Sequence, residues 1–335
     1  MIRDAAYYET EPDGRLFCRL CPSECRIAPG KQGLCLSRKN DNGRLVTDNY
    51  GEVVTMALDP IEKKPLYHFH PGRMILSTGP NCCNLDCRHC QNWSISKQAV
   101  ETSYCSPEKL VELTNDFDTI GVAFTYTEPL VWFEYLMDTA PLLRQAGMAV
   151  VLVSNGYINP APLSELLSHI DAANIDLKGM RPEFYERICK GKVEPILENI
   201  ARIAESDVHL ELTNLIIPDL NDSDDDLNEL FDFVASISAD IPLHLSAYHP
   251  SYKMKNRATP AETLLRAKEL ASDRLKYLFL GNISTVEGST SNCPECDSEL
   301  VRRNGYTVEV LSLSGGKCMQ CGAHTGIVQQ AKASE

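Results

Sequence analysis

Between residues 74 and 285, short runs of β-branched and aliphatic residues alternate with longer stretches whose apolar positions recur every three or four residues. The runs are RMILSTG, GVAFTYTEP, MAVVLVSNG, AANIDLKG, HLELTNLIIP, PLHLSAYHP and KYLFLGN, and each ends in Gly, Pro or Asn, as a strand entering a loop does. The stretches SPEKLVELTND, PLVWFEYLMDTAPLLRQAG, PAPLSELLSHI, VEPILENIARIAES, DDLNELFDFVASIS and TPAETLLRAKELAS have helical spacing, several opening on Ser, Pro or an acidic residue. Strands alternating with helices imply parallel pairing, because a parallel neighbour is reached only through a crossover. The pattern therefore predicts an α/β domain, either a barrel or an open doubly wound sheet. In both, the chemistry sits at the C-terminal ends of the strands.

The flanks break this rhythm. Residues 1–60 are rich in Cys, Gly and turn signals such as NDNG, and residues 289–335 form a second Cys-containing segment with a polar end. The expected organisation is an N-terminal Cys-rich module over 1–60, the βα domain over 61–288 and a C-terminal module over 289–335. Within the middle part, PDLNDSDDDLNEL lacks the Gly of a calcium loop; Asp224, Asp225 and Asp226 read as complements to the positive end of a helix dipole. In YHFHP, His68 and His70 read as structural hydrogen-bonding residues.

Composition narrows the function. A chain of 335 residues can bury a full core. It has no apolar run of membrane-spanning length, and MIRDAAYYETEPDG lacks the basic-then-apolar start of a secretion signal, so the expected location is cytoplasmic, with no membrane partner. The net charge of -14 argues against general attraction to nucleic acid, which relies on clustered Lys and Arg. In a reducing compartment the 14 cysteines read as metal, cluster or core residues rather than disulfides.

Their spacing sorts them. Cys293-x2-Cys296 and Cys318-x2-Cys321 form two knuckles across a hairpin, a closed four-thiolate set expected to bind structural zinc as a ribbon. Cys18, Cys21, Cys25 and Cys35 form a second four-thiolate set of irregular spacing; zinc is expected, with an auxiliary iron-sulfur cluster as the alternative. The third group, in NCCNLDCRHCQNW, offers Cys82 or Cys83 followed by Cys87 and Cys90 and has no fourth partner nearby. Three thiolates on one loop hold three corners of a [4Fe-4S] cube and leave one iron open, which is a catalytic arrangement. Cys105 and Cys189 are left over, and single cysteines of this kind usually behave as small buried hydrophobes.

The third group resembles the Cx3Cx2C signature of radical S-adenosylmethionine (SAM) enzymes, with Cys83, Cys87 and Cys90 as ligands and Cys82 as a packing residue. The resemblance implies a partial (β/α)6-type TIM barrel. It continues in TYTEP, where Glu128 stands in the place of the family's Gly-Gly-Glu acid and Tyr126 and Thr127 replace the glycines. SNGY and IDLKG resemble strand ends of glycyl-radical-enzyme activases such as the pyruvate formate-lyase activating enzymes, which implies SAM contacts for Asn155, Asp176 and Lys178. SAYHP implies another at His249, and His89 takes the place of an aromatic residue near the adenine. Over nearly the whole chain, CRLCPSECRIAPGKQGLC, IEKKPLYHFHPG, CNLDCRHCQNW, YHPSYKM and LFLGNI, in that order, resemble the radical SAM member of the AmmeMemoRadiSam system.

That resemblance implies reductive cleavage of SAM to a 5'-deoxyadenosyl radical that abstracts hydrogen from an unidentified substrate. It also implies AMMECR1-like and Memo-like partners and an electron donor such as flavodoxin or ferredoxin. Gln91, Asn92 and Trp93 lie where amides reach a cluster or cofactor, while core packing is the alternative for Trp93. Competing readings are a glycyl-radical-enzyme activase acting on a partner protein, and a non-catalytic zinc or iron-sulfur module.

Overall fold

The computed structural model describes residues 1–98, 100–283 and 285–329. Its centre is a nine-stranded sheet: β1 (Glu52–Pro60), β2 (Met74–Pro80), β3 (Ser103–Tyr104), β4 (Gly121–Phe124), β5 (Ala149–Ser154), β6 (Ala172–Asp176), β7 (His209–Ile216), β8 (Leu243–Ala247) and β9 (Leu278–Gly281). The seven apolar runs supply β2 and β4 to β9, which pair in parallel and in chain order. Strand order never reverses among these seven, so there is no switch point of the doubly wound kind. β1 runs antiparallel beside β2, and β3 extends that edge.

The main sheet thus begins at Glu52, inside the segment expected to form the N-terminal module. Turn-rich sequence upstream masks the run EVVTMALDP, whose β-branched residues pair along β2. Residues before it make two small sheets, one joining Arg3–Asp4, Arg44–Thr47 and Arg38–Asp41, the other Tyr8–Thr10, Leu16–Cys18 and Arg26–Ile27. The C-terminal module has antiparallel strands at Ser291–Asn292, Glu299–Asn304 and Thr307–Val310 and a hairpin at Leu313–Ser314 and Lys317–Cys318. The end of the expected 289–335 module beyond Gln329 lies outside the described residues.

Helices fill the crossovers. The helix Asp224–Ile237 shows why: Leu227, Leu230, Phe231 and Val234 are buried on one face at helical spacing. Ser223 caps its start, accepting from the Asp226 amide at 3.2 Å, and Asp224 and Asp226 pair with Arg266 and Arg181. The acidic run therefore belongs to a helix N-terminus. Among the described residues, no helix is long and apolar enough to cross a membrane.

The N-terminal ends of the strands are sealed by a polar seam. Glu211 of β7 is fully buried and accepts from His209 Nε2 (3.0 Å), His244 Nε2 (2.6 Å) and the amides of Tyr67 (3.0 Å) and His68 (2.7 Å). Burial favours the neutral acid, but these donors outweigh it and hold the carboxyl well below the usual carboxylate range. Over this seam the C-terminal module docks through Arg303, whose guanidinium donates to Tyr67 O (2.6 Å), Ser289 O (3.2 Å) and Ser291 Oγ (3.0 Å). His68 Nε2 meets Ser291 Oγ at 3.3 Å, and the backbones of His68 and His70 exchange bonds with Val328.

Burial pushes the His68 imidazole down to about 3. The unfolded chain takes up this proton below its ordinary value of 6.5 while the folded chain does not, so stability falls as pH drops from 6.5 toward 3. Between pH 6.5 and 5 the loss is about 2 kcal/mol from this residue. In urea titrations at pH 7 and pH 5, His68→Gln should show a stability drop smaller by that amount; an unchanged drop would assign the acid sensitivity elsewhere.

Candidate active site

At the opposite end, β2 leads into the loop carrying Cys83, Cys87 and Cys90. A Cβ on Gly79 would lie 2.1 Å from Thr125 O, so only glycine lets the end of β2 approach the TYTEP segment after β4 this closely. The loop is then clamped from several neighbouring strand ends. Asn84 Nδ2 donates to Tyr157 O (2.7 Å) beyond β5, and the Asp86 and Arg88 amides donate to Cys189 O (3.0 Å) and Ile188 O (2.8 Å) beyond β6. Beyond β8, Ser251 Oγ donates to Cys90 O (3.1 Å) and the Lys253 amide to Arg88 O (3.0 Å).

The QNW segment completes the clamp rather than filling the core. Asn92 Nδ2 donates to Tyr126 O at 2.9 Å, and Trp93 stacks on Tyr252 with ring centroids 5.3 Å apart and planes 10° from parallel. Gln91 is exposed.

Two of the loop thiols have polar neighbours suited to a thiolate. Cys83 Sγ lies 3.5 Å from the Leu85 amide and 3.7 Å from Asn155 Nδ2, and Cys90 Sγ lies 3.5 Å from Ser96 Oγ. The thiol of Cys189, which spacing alone left as a packing residue, neighbours that of Cys87, and this neighbour together with burial raises the Cys87 pKa. Cys82 turns away: its φ of 89° directs Sγ toward Asn81 Oδ1, at 3.7 Å, in a separate cleft shared with Gln32 and Lys97.

Glu128 is almost fully buried. Its Oε1 accepts from Ser154 Oγ (2.7 Å) and the Leu130 amide (3.0 Å), its Oε2 from the Asn155 amide (2.9 Å). Burial raises this carboxyl to about 7, the three donors opposing it. Asn155 joins the acid to the loop, because its side chain also reaches Asn84 Oδ1 at 2.9 Å and Cys83 Sγ. Lys178 Nζ pairs with Asp176 Oδ2 at 2.8 Å; burial disfavours the ammonium, but Asp176 together with Cys87 and Cys189 holds it well above its ordinary value.

His89 is buried with Nδ1 unpartnered, and burial, reinforced by Lys178, pushes its pKa down to about 3. The ring is neutral. Contacts thus join Cys83, Asn155 and Glu128, and Lys178 pairs with Asp176 near Cys87 and the neutral His89. His249 is exposed just beyond β8, and among the described residues no hydrogen bond or ion pair holds it.

Where Tyr126 replaces a glycine of the family's motif, the backbone keeps a glycine-like conformation, with φ of 72°. Tyr126 OH donates to the buried Asp59 Oδ2 at 2.6 Å, and Lys64 Nζ sits 4.6 Å from the ring centre while pairing with the same carboxylate at 2.8 Å. Asp59 and Lys64 therefore support the site from β1 and the turn after it.

Residues 78–234 match the radical SAM superfamily. The chain is also 39% identical over 335 residues to the uncharacterized protein MJ0808 of Methanocaldococcus jannaschii, covering 98% of this chain and 100% of that one. The chain contains a radical SAM domain. It is 27% identical over 175 residues to the pyruvate formate-lyase-activating enzyme of Clostridium pasteurianum, spanning 50% of this chain and 72% of that protein. It is 29% identical over 172 residues to the 4-hydroxyphenylacetate decarboxylase activating enzyme of Clostridium scatologenes, but spans only 54% of that protein's length. A radical SAM methyltransferase from Sphaerobacter thermophilus shares the fold, with a TM-score of 0.51 and 12% identity over 63% of this chain and 67% of that one. For a radical SAM protein, an enzymatic role, a [4Fe-4S] cluster and SAM follow from the family.

The three cysteine sets differ in spacing. In the C-terminal set, Cys293, Cys296, Cys318 and Cys321 have sulfur atoms all within 4.8 Å of one another, with Cys293 to Cys321 at 3.6 Å and Cys296 to Cys318 at 3.7 Å. A tetrahedron with metal-sulfur bonds near 2.3 Å has edges of about 3.8 Å. Neither Cys83, Cys87 and Cys90 nor any three of Cys18, Cys21, Cys25 and Cys35 are so compact.

Proposed function

We propose that this radical SAM protein cleaves SAM reductively and uses the product to remove hydrogen from a substrate brought by partner proteins. The observation that carries the reading is the continuous linkage of Cys83, Asn155 and Glu128 across adjacent strand ends, beside the Lys178 and Asp176 pair. On this reading the seven parallel strands form a partial (β/α)6-type TIM barrel with one strand beyond the six.

Cys83, Cys87 and Cys90 would hold the [4Fe-4S] cluster, which when bound would supply the electron for reductive cleavage of SAM. The protein's part is binding and orientation. Glu128 presents an acceptor to the methionyl amino group, and an arriving ammonium offsets the burial that raises this carboxyl. Lys178 and Asp176 present both charges to the zwitterionic end of SAM. The neutral ring of His89 offers an apolar face to the adenine, and His249 stands at the exposed rim for a further SAM contact. The clamps from beyond β5, β6 and β8 hold the thiol loop in place.

The C-terminal set suits a closed structural zinc site by its edge lengths. AMMECR1-like and Memo-like proteins are the proposed partners and a flavodoxin or ferredoxin the proposed electron donor. Similarity to two activating enzymes favours a second reading, in which the substrate is a glycyl-radical enzyme and the hydrogen comes from its backbone. Anaerobic turnover with deuterated candidate substrates, with and without the partner proteins, separates the two. Deuterium in 5'-deoxyadenosine that depends on those partners supports the first reading; a partner-independent glycyl radical EPR signal on an added enzyme supports the second.

A further inference from the structure

We infer that Cys18, Cys21, Cys25 and Cys35 hold a second [4Fe-4S] cluster directly behind the SAM-site loop. All four line one cavity, which Asn84 and Val131 help to close. A lone zinc ion would draw its four sulfur atoms to ~2.3 Å and leave no cavity between them. The same chain shows what a compact set looks like: the C-terminal sulfurs approach to 3.6 and 3.7 Å. No three of the N-terminal sulfurs fall within 4.8 Å of one another, and in this they match Cys83, Cys87 and Cys90. A cube sets each thiolate on its own iron, so the sulfurs stand apart and the interior is filled by inorganic sulfide and iron.

The surroundings suit sulfur ligands. The Leu34 amide lies 3.4 Å from Cys25 Sγ and Ser37 Oγ 3.3 Å from Cys35 Sγ. The buried guanidinium of Arg38 comes within 4.0 Å of Cys18 Sγ while also pairing with Glu134. Hydrogen bonds and charge at sulfur are what tune a cluster's potential.

Placement gives the cluster a task. Asn84 lines the cavity, follows Cys83 directly in the chain, and receives the Asn155 side chain that also touches Cys83. Cys25 and Cys35 are only partly buried, so the group is reachable from outside. The second cluster is thus placed to take one electron from a low-potential flavodoxin- or ferredoxin-class donor and pass one to the SAM-site cluster, with no bond made or broken. This relay role rests on the proposed function; the cluster assignment does not.

The test is metal and sulfide analysis with EPR on full-length protein reconstituted anaerobically with iron and sulfide. Wild type should carry about eight iron atoms in two clusters. The variant with Cys83→Ala, Cys87→Ala and Cys90→Ala, whose N-terminal residues are untouched, should keep about four iron and a reduced signal that SAM leaves unchanged. Cys18→Ala with Cys21→Ala should lose about four iron and keep a signal that SAM alters. About four iron and two zinc in wild type, with no iron in the triple variant, would overturn the assignment. Iron retained by the triple variant alongside a wild-type signal indifferent to SAM would uphold this site and sink the proposed function instead.

Discussion

Cys83→Ala, Cys87→Ala and Cys90→Ala should each lower 5'-deoxyadenosine formation on the order of a thousandfold or more, since the cofactor carries the chemistry, whereas Cys82→Ala should leave it near the wild-type rate. The contrast follows from backbone geometry. Cys83 lies against the Asn155 side chain and Cys90 against Ser96, while Cys87 is buried beside Cys189. Cys82, one residue away, has a φ of 89° that sends its sulfur toward Asn81 and a different cleft. Liquid chromatography of anaerobic reaction mixtures reads the product directly. Activity lost in Cys82→Ala but kept in Cys83→Ala would reverse the register.

Arg303→Ala should destabilise the protein by about 3–5 kcal/mol without lowering SAM cleavage per folded molecule. Arg303 is fully buried, lies over the Tyr67 ring and is the charge partner of Glu62, itself buried, at 3.5 Å. Truncation strands that carboxylate and also removes donors to Tyr67 O, Ser289 O and Ser291 Oγ. Burial already raises the Glu62 pKa, with Arg303 opposing it. Without the arginine it rises further, and the unfolded state, free to ionise, gains as pH increases, so the loss should be larger at pH 8 than at pH 6. The activity is spared because this seam closes the N-terminal ends of the strands and the site occupies the C-terminal ends. Urea titration and product assay on the same samples check both halves; an unchanged midpoint would show that Arg303 does not hold the module.

Much of this was legible from periodicity because a parallel sheet writes itself as repeated apolar runs, and the runs from RMILSTG to KYLFLGN are strands. β1 was not legible, since it lies among turn-rich residues and its partner is the next strand rather than a helix-linked one. Residues joined by tertiary contact alone were also missed. Cys189 meets Cys87 across about a hundred residues, and neither sequence neighbourhood signals the pairing. Tyr126 did leave a trace, as a bulky residue in a glycine position of the motif, but Asp59 and Lys64, which hold it there, are visible only in the fold. Trp93 and Asn92 looked like core or cofactor residues; in the fold both clamp the loop, Trp93 by stacking on Tyr252 and Asn92 by donating to Tyr126. For the N-terminal cysteines, count and spacing favoured zinc; the cluster proposed there rests on the looser sulfur set and the cavity, which appear only in the fold.

The central claim is that Cys83, Cys87 and Cys90 hold a cluster that cleaves SAM. It is tested most directly by incubating the anaerobically reconstituted, dithionite-reduced protein with SAM and measuring 5'-deoxyadenosine and methionine. The account predicts both products in equal amounts, dependent on reductant and absent from the triple cysteine variant. A fully reconstituted protein that leaves SAM intact would contradict it.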